Sequence, residues 1–440
     1  MKAVPSKRGG MKKMASSAGD TDSQRNLHRN AADTQPTWVV VGTGALSSLW
    51  AHGLQQAGAP VVVYSRHASD GPEVELNVVP ATAAALQAAQ SANSSATSTA
   101  ANITRKSVRA RFPVIHSAAA APTGAIWLIM VKAWQLEPLL RQVLRQVLRQ
   151  VFSEQGAEQG AEEGAEQGSS KGAADCKDKA PMQLILSHNG MGAADALLAQ
   201  AVSAGHVQVY DLVTTHGAWR QSRLSTVHAG FGESWLGLRS EQALAADHAT
   251  DHATDTRETT SASNTAMNMA SNSAQRALSR YAGLVESNQE LQPPAWFHTL
   301  AQALPPLHWE ANISARRWHK LAINCVINPL ATVAGDVNGV LRKDEYQPKI
   351  RAICEEIGNL NPYLDADVLV ASVQQVIRAT ANNRCSMLQD SEAGKPTEID
   401  YLNGFICQEG THLHVATRVN CELWYQLANS NTRKDKNEKE

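Results

Sequence analysis

Trp38-Val39-Val40-Val41-Gly42-Thr43-Gly44-Ala45-Leu46-Ser47 decides the reading of the first part of this chain. Trp38–Val41 is a short apolar, β-branched run, as expected of a strand. Gly42-Thr43-Gly44 follows at once. Leu49, Trp50, Gly53 and Leu54 then continue with helical spacing to Gly58, and Pro60-Val61-Val62-Val63-Tyr64 reads as a second strand. Strand, turn, helix and strand fit within roughly 30 residues, the size of a dinucleotide-binding unit. Gly42 allows the tight turn, and Gly44 lets backbone approach a pyrophosphate at the helix N-terminus. The third position of the fingerprint, normally Gly or Ala, is Ser47. A glycine-rich turn with packing duties alone would use the same letters.

The end of the second strand selects the nucleotide. An acidic residue there would hold a ribose 2′-hydroxyl. This chain has Ser65-Arg66-His67 instead, and an arginine with a hydroxyl suits a 2′-phosphate. NADP is therefore expected over NAD, the alternative being an ordinary surface arginine.

Further strands follow. Ala125–Val131 is a continuous apolar run ending at Lys132, Met182–Ser187 runs into His188-Asn189-Gly190-Met191-Gly192, and Val207–Val213 runs into Thr214-Thr215-His216-Gly217-Ala218. Polar residues at such strand ends lie where ligands bind in open α/β sheets, although Lys132 could be only a charged strand end and Asn189-Gly190 a plain turn. Ser225–His228 and Ser234–Leu238 read as a final hairpin. Residues 81–110, 153–180 and 240–290 lack apolar periodicity and read as low-complexity insertions. Arg-Gln-Val-Leu repeats over 141–152 predict a helix. A duplicated Asp-His-Ala-Thr, with His248 and His252 at i, i+4, reads as a duplication in an insertion, with a metal clip as the alternative. Residues 1–36 read as a disordered tail, with Met11 and Met14 as other possible starts, and 431–440 as a charged tail.

From Trp296 the pattern reads as helical to the end, with helices expected over 350–360, 368–383 and 415–428. Its centre is Trp318-His-Lys320-Leu-Ala-Ile-Asn324-Cys-Val-Ile-Asn328-Pro-Leu330. Lys320, Asn324 and Asn328 are each four residues apart and share one helix face, while apolar residues fill the rest of the circumference. A buried lysine must be paired or working; a solvent-facing stripe is the plainer alternative. The expected architecture is an α/β, Rossmann-type dinucleotide-binding domain over 37–311, then an all-α substrate and catalytic domain over 312–430.

Among 440 residues, 40 Lys and Arg balance 41 Asp and Glu, for a net charge of −1. That gives no electrostatic case for nucleic acid. None of the six cysteines forms a CxxC pair, and their spacing predicts no disulfide framework, so a reducing, cytoplasmic setting is expected. No apolar run is long enough for a membrane span, and the basic N-terminus lacks the apolar core of a secretory signal.

Several motifs together resemble the ketopantoate reductase family, the 2-dehydropantoate 2-reductases of the pantothenate pathway: Gly42-Thr-Gly-Ala-Leu, Val131-Lys-Ala-Trp-Gln, His188-Asn-Gly-Met-Gly, Lys320-Leu-Ala-Ile-Asn-Cys-Val-Ile-Asn-Pro-Leu, Ser386-Met-Leu-Gln-Asp and Thr397-Glu-Ile-Asp-Tyr-Leu-Asn-Gly. The resemblance spans about 37–430 with gaps at the insertions. It implies Lys320 as general acid. It implies Asn189, Asn324, Asn328, Asn338 and Ser386 at the substrate. For the cofactor it implies Gly42, Thr43, Gly44, Ala45, Leu46, Ser47 and Arg66, with Lys132, Asn189, Ala218 and Glu398 near the nicotinamide half. Ser47 departs from the usual small Gly or Ala. The implied reaction is hydride transfer from NADPH to ketopantoate, with Lys320 protonating the alkoxide and Glu398 keeping that ammonium charged or binding the substrate hydroxyl. The competing readings are a reductase of another 2-keto acid and a catalytically silent nucleotide-binding protein. The intact lysine, serine and glutamate set argues against silence. Oligomeric state is not legible in the sequence.

Overall fold

The structure, a computed structural model, describes residues 35–67, 70–80, 107–158, 180–239 and 292–437. The duplicated Asp-His-Ala-Thr, nearly all of the 1–36 tail and most of each insertion lie outside these residues.

Strand β1 (Trp38–Val41) leads through the glycine turn into helix α1 (Ala45–Gln56) and back into β2 (Val61–Tyr64). β1 pairs in parallel with β2 on one side and with β5 (Ile126–Ile129) on the other. β5 pairs in parallel with β6 (Met182–Leu186), and β6 with β7 (Val207–Thr214). On the far flank β2 pairs in parallel with β4 (Val108–Ile115). The six parallel strands therefore run β4-β2-β1-β5-β6-β7, the doubly wound order whose ligand crevice opens at the carboxyl ends of the strands. Alternation along β1 explains its unbroken apolarity. Trp38 and Val40 enter the core beneath α1 and α4 (Phe297–Ala303), whereas Val39 and Val41 enter the core beneath α2 (Ala133–Glu158) and α3 (Asp195–Ser203). Gly53 permits the close approach of α1 to α4, since a Cβ there would lie 1.9 Å from the Ala303 carbonyl oxygen.

Several sequence expectations need correction. Ser225–His228 and Ser234–Leu238 do not pair with each other. They lie in β9 (Ser225–Gly230) and β10 (Ser234–Leu238), consecutive parts of one returning arm. β10 pairs with β7, and β9 pairs with β8 (Gly217–Ser222) and in parallel with β3 (Glu73–Pro80). The whole is a long two-stranded ribbon bent near Thr215 and Gly232. β3 was overlooked, although Val74, Leu76 and Val78 alternate inward with exposed Glu73 and Glu75. Its partner β4 claims Val108–Ala110 from the expected 81–110 insertion, and α2 runs on to Glu158, into the expected 153–180 insertion. The stretch after Trp296 is not wholly helical, because β11 (Leu307–Trp309) adds to β10. The final helix is also longer than expected, running Arg418–Asn437.

From Ile313 onward every regular element among the described residues is a helix. Helix α5 (Ile313–Ala334) runs through the middle of this half and packs on α6 (Gln347–Leu360), α7 (Ala366–Ala379), α8 (Ser386–Glu392) and α10 (Arg418–Asn437). Asn312 caps its start by accepting from the Ala315 N–H, and Gly335 ends it in the left-handed conformation. Pro329 sits inside α5 and lacks the N–H that would bond the Cys325 carbonyl. Asn403, at the start of α9 (Asn403–Leu413), supplies the replacement: its Nδ2 donates to Cys325 O at 3.0 Å and to Asn420 Oδ1 at 2.9 Å. Asn403→Ala should therefore destabilise the protein by about 2–4 kcal/mol, because two buried acceptors lose their donor. Unchanged urea unfolding would show that another group satisfies them. Cys407 and Cys421 form a disulfide between α9 and α10, against the expectation of unpaired cysteines. Packing of the two helices brings together residues whose sequence spacing carried no recognisable signal. No helix among the described residues is long and apolar enough to cross a membrane.

Candidate active site

The carboxyl ends of the parallel strands gather most of the expected site residues. Gly42 follows β1 with a φ of +80°, a conformation glycine adopts without strain. Gly44 is the N-cap of α1 and offers no side-chain cap, so the first backbone N–H groups of Ala45 and Leu46 suit an anionic pyrophosphate. Thr43 is buried in the turn. Ser47 is buried too, and its hydroxyl donates to Val41 O at 3.1 Å. The departure from Gly or Ala thus costs little, since the added polar group is satisfied inside the turn. Arg66 is exposed just beyond β2, and the neighbouring Ser65 donates to buried Asp70 at 2.5 Å. Asp70 in turn pairs with Arg223, so the acid beside the end of β2 is already engaged.

Beyond β5 and β6 the sheet meets the helical half at Glu398, which is 5% exposed. Its carboxylate accepts from the Ala133 N–H at 3.1 Å and from Asn189 Nδ2 at 2.9 Å, with Lys132 Nζ at 3.7 Å. Lys132 also donates to Asp390 at 2.6 Å. Burial pushes the Lys132 ammonium down, but Glu398 and Asp390 more than offset this and hold it above the usual lysine range. Gly190 makes the junction possible. Its φ is +79°, and a Cβ would lie 2.2 Å from the Tyr401 carbonyl oxygen, which accepts from the Met191 N–H at 2.9 Å.

Lys320 enters from α5, and its Nζ donates to the Thr214 carbonyl, the last residue of β7, at 3.1 Å. Burial pushes this ammonium below the usual lysine range, and Glu398 partly offsets the effect. Asn324 is partly buried on the same face and Asn328 is buried. The Asn328 carbonyl accepts from Thr332 at 2.6 Å and from the Cys385 thiol at 3.6 Å. Cys385 caps α8 and so places Ser386, exposed, as its first residue. Ala218 stands in β8, four residues past Thr214, on the ribbon that packs along α1. Asn338 is directed elsewhere. Its Nδ2 donates to Thr380 at 2.9 Å and its backbone N–H to Asn383, rather than to the group around Lys320 and Glu398.

Sequence reasoning missed the charged cluster behind Lys320. Arg239 donates to Asp211 at 2.5 and 2.9 Å and to Asp195 at 2.9 Å, while Arg317 lies 3.4 Å from Asp211. A cavity of about 20 Å³ lies between His188, Asp211, Arg317 and Lys320. Burial, with Arg317 and Arg239 adding to it, drives His188 down to about 4; burial, with His228 nearby, does the same to His216. Folded protein keeps both rings neutral to about pH 4, whereas the unfolded chain takes up those protons near pH 6.5. The unfolded state binds more protons in that window, so stability should fall as pH drops from 6.5 to 4. The loss should be about 3 kcal/mol per histidine. Urea midpoints that stay level across the window would contradict it.

A doubly wound parallel sheet with a glycine turn, meeting a helical half that presents a buried lysine, has the build of a Rossmann-type oxidoreductase. Residues 38–153 match the family described as ketopantoate reductase PanE/ApbA, and residues 312–430 match its C-terminal domain. The chain belongs to the ketopantoate reductase family, a family of oxidoreductases. It is 27% identical over 393 residues to the 2-dehydropantoate 2-reductase of Vibrio cholerae, covering 88% of this chain and 96% of that protein. It is 42% identical over 129 residues to that of Shigella flexneri, which covers 28% of this chain and 42% of that protein. Among solved structures, D-mandelate dehydrogenase with NADH and anilino(oxo)acetate aligns with a TM-score of 0.58 at 16% identity, over 91% of this chain and 99% of that one. The PanE/ApbA family ketopantoate reductase of Ralstonia eutropha JMP134 aligns at 0.57 and 16%, over 91% and 100%. At such identities these likenesses concern the fold alone.

Proposed function

We propose that the chain reduces ketopantoate to pantoate with NADPH, in the service of pantothenate synthesis. The observation that carries this reading is Lys320, a lysine held inside the protein by the Thr214 carbonyl and within the field of Glu398. The domain over 37–311 would hold the cofactor, with its pyrophosphate on the turn from Gly42 to Ser47 and its 2′-phosphate at Arg66. Lys132, Asn189, Ala218 and Glu398 would border the nicotinamide half. The helical domain over 312–430 would hold the substrate through Asn324, Asn328, Asn338 and Ser386, and the turn carrying Asn338 would have to reorient. Bound NADPH supplies the hydride. Lys320 donates the proton that the developing alkoxide needs, and Glu398 favours the charged, donating form of that lysine. Asparagine and serine groups suit a carboxylate and a hydroxyl, and reject analogues that lack them.

The test is NADPH oxidation with ketopantoate beside other 2-keto acids, phenylglyoxylate included. The second reading is reduction of another 2-keto acid, for which phenylglyoxylate is the aryl test case. A higher kcat/KM for phenylglyoxylate than for ketopantoate would establish that reading instead. Cofactor choice is separately checkable. NADPH should be preferred to NADH, and Arg66→Asp should narrow or reverse the ratio, because it replaces the 2′-phosphate partner with a like charge. A parent enzyme equally served by both cofactors would sink the assignment of Arg66.

A further inference from the structure

We propose that His216 is a positioning residue for the Lys320 ammonium, acting through the bend in the β7–β8 ribbon; the proposal rests on Lys320 as proton donor. The ammonium donates to the Thr214 carbonyl, so the direction of that carbonyl sets where the proton is presented. Thr214 closes β7 just where the ribbon turns. Its Oγ1 accepts from the His216 N–H at 3.2 Å and from Ser234 Oγ at 2.9 Å. On the opposite arm the Gly232 N–H donates to His216 Nδ1 at 3.2 Å. Gly232 passes so close to Thr215 that a Cβ would lie 2.5 Å from the Thr215 carbonyl carbon. The imidazole therefore ties both arms of the bend, at a point where the regular ladder registers leave off.

The chemistry explains why a histidine stands there. Nδ1 can accept only while the ring is neutral. His216 is 6% exposed and faces His228, 2% exposed, with ring centroids 5.5 Å apart. Neither ring is easily charged in that setting. With Nδ1 accepting, the ring proton sits on Nε2, for which no partner is found among the described residues. A buried N–H without a partner is costly. An apolar ring would fill the space without that cost, so what the histidine adds at this position is the bond at Nδ1.

The test compares four variants of the full-length protein. His216→Ala removes the acceptor. His216→Asn keeps an oxygen near the place of Nδ1, and His216→Gln moves it toward the place of Nε2. Thr214→Val removes Oγ1 while keeping the shape of the strand residue. Two readouts are taken: kcat and KM for ketopantoate with NADPH, and the pH dependence of Lys320 acylation by acetic anhydride, followed by peptide mass spectrometry. His216→Ala, His216→Gln and Thr214→Val should lower kcat roughly tenfold, the scale of one charge-assisted hydrogen bond, with KM nearly unchanged. Their acylation midpoints should move to lower pH, because the redirected Thr214 carbonyl holds the charged lysine less well. His216→Asn should restore both readouts. An acylation midpoint equal to the parent's in folded His216→Ala and Thr214→Val overturns the proposal, as does an Asn variant no better than Ala. If His216→Ala does not fold, His216→Gln, which misplaces the ring's acceptor, decides together with Thr214→Val. A parent enzyme that oxidises NADPH with no 2-keto acid would sink the functional reading instead, and the acylation midpoints would still decide the positioning.

Discussion

Lys320→Ala is expected to lower turnover with ketopantoate by roughly 10²–10⁴-fold, the range for losing a general acid. NADPH affinity should change little, because the turn from Gly42 to Ser47, proposed above for the pyrophosphate, is built from β1 and α1, not α5. Donation requires the protonated amine, so parental turnover should fall as pH rises. Burial holds this ammonium below the usual lysine range even with Glu398 opposing it, so the falling limb should lie below the pH at which an exposed lysine titrates. In Lys320→Ala that limb should vanish rather than move. A variant with near-parental turnover would reduce the stripe of Lys320, Asn324 and Asn328 to a polar helix face. The acid would then be sought at Lys132, which is less suited because Asp390 and Glu398 hold it charged.

Those parts of the fold with strong local patterns were legible. The turn from Gly42 to Ser47 announced itself because strand, glycines and helix are contiguous, and α5 because its apolar positions leave one polar face. The bent ribbon was not legible. Ser225–His228 and Ser234–Leu238 carry ordinary strand residues, and only the pairing of β9 with β3 and of β10 with β7 shows that they are one arm. Likewise, nothing in the sequence around Asn403 ties it to Pro329, whose missing N–H leaves the Cys325 carbonyl beside it. The disulfide depends on the packing of α9 on α10, which spacing does not encode. Within the site, Lys320, Lys132, Asn189 and Glu398 were singled out and converge across the two halves. The buried group of Asp211, Arg239 and Arg317 was invisible, because its members come from β7, the residue after β10, and α5.

Glu398→Ala should have the second largest effect, a turnover loss of roughly 10²–10³-fold, the scale for removing one side of a buried, hydrogen-bonded charge pair. The carboxylate does three things at once. It satisfies the Ala133 N–H and orients Asn189. It shares Lys132 with Asp390. It also supplies the negative field that partly offsets burial at Lys320. Glu398→Gln separates these roles, since its amide oxygen can still accept one of the hydrogen bonds while the charge is gone. Both variants should shift the falling limb of turnover to lower pH, because the Lys320 ammonium loses the charge that partly offsets its burial. Only Glu398→Ala should also raise KM for ketopantoate several-fold, because only there does Asn189 lose its anchor altogether. A Glu398→Gln enzyme whose limb stays at the parental pH would show that Lys320 does not depend on this carboxylate for its charge. Glu398 would then be a hinge between the sheet and the helical half, and its removal would register in stability before it registered in the proton transfer.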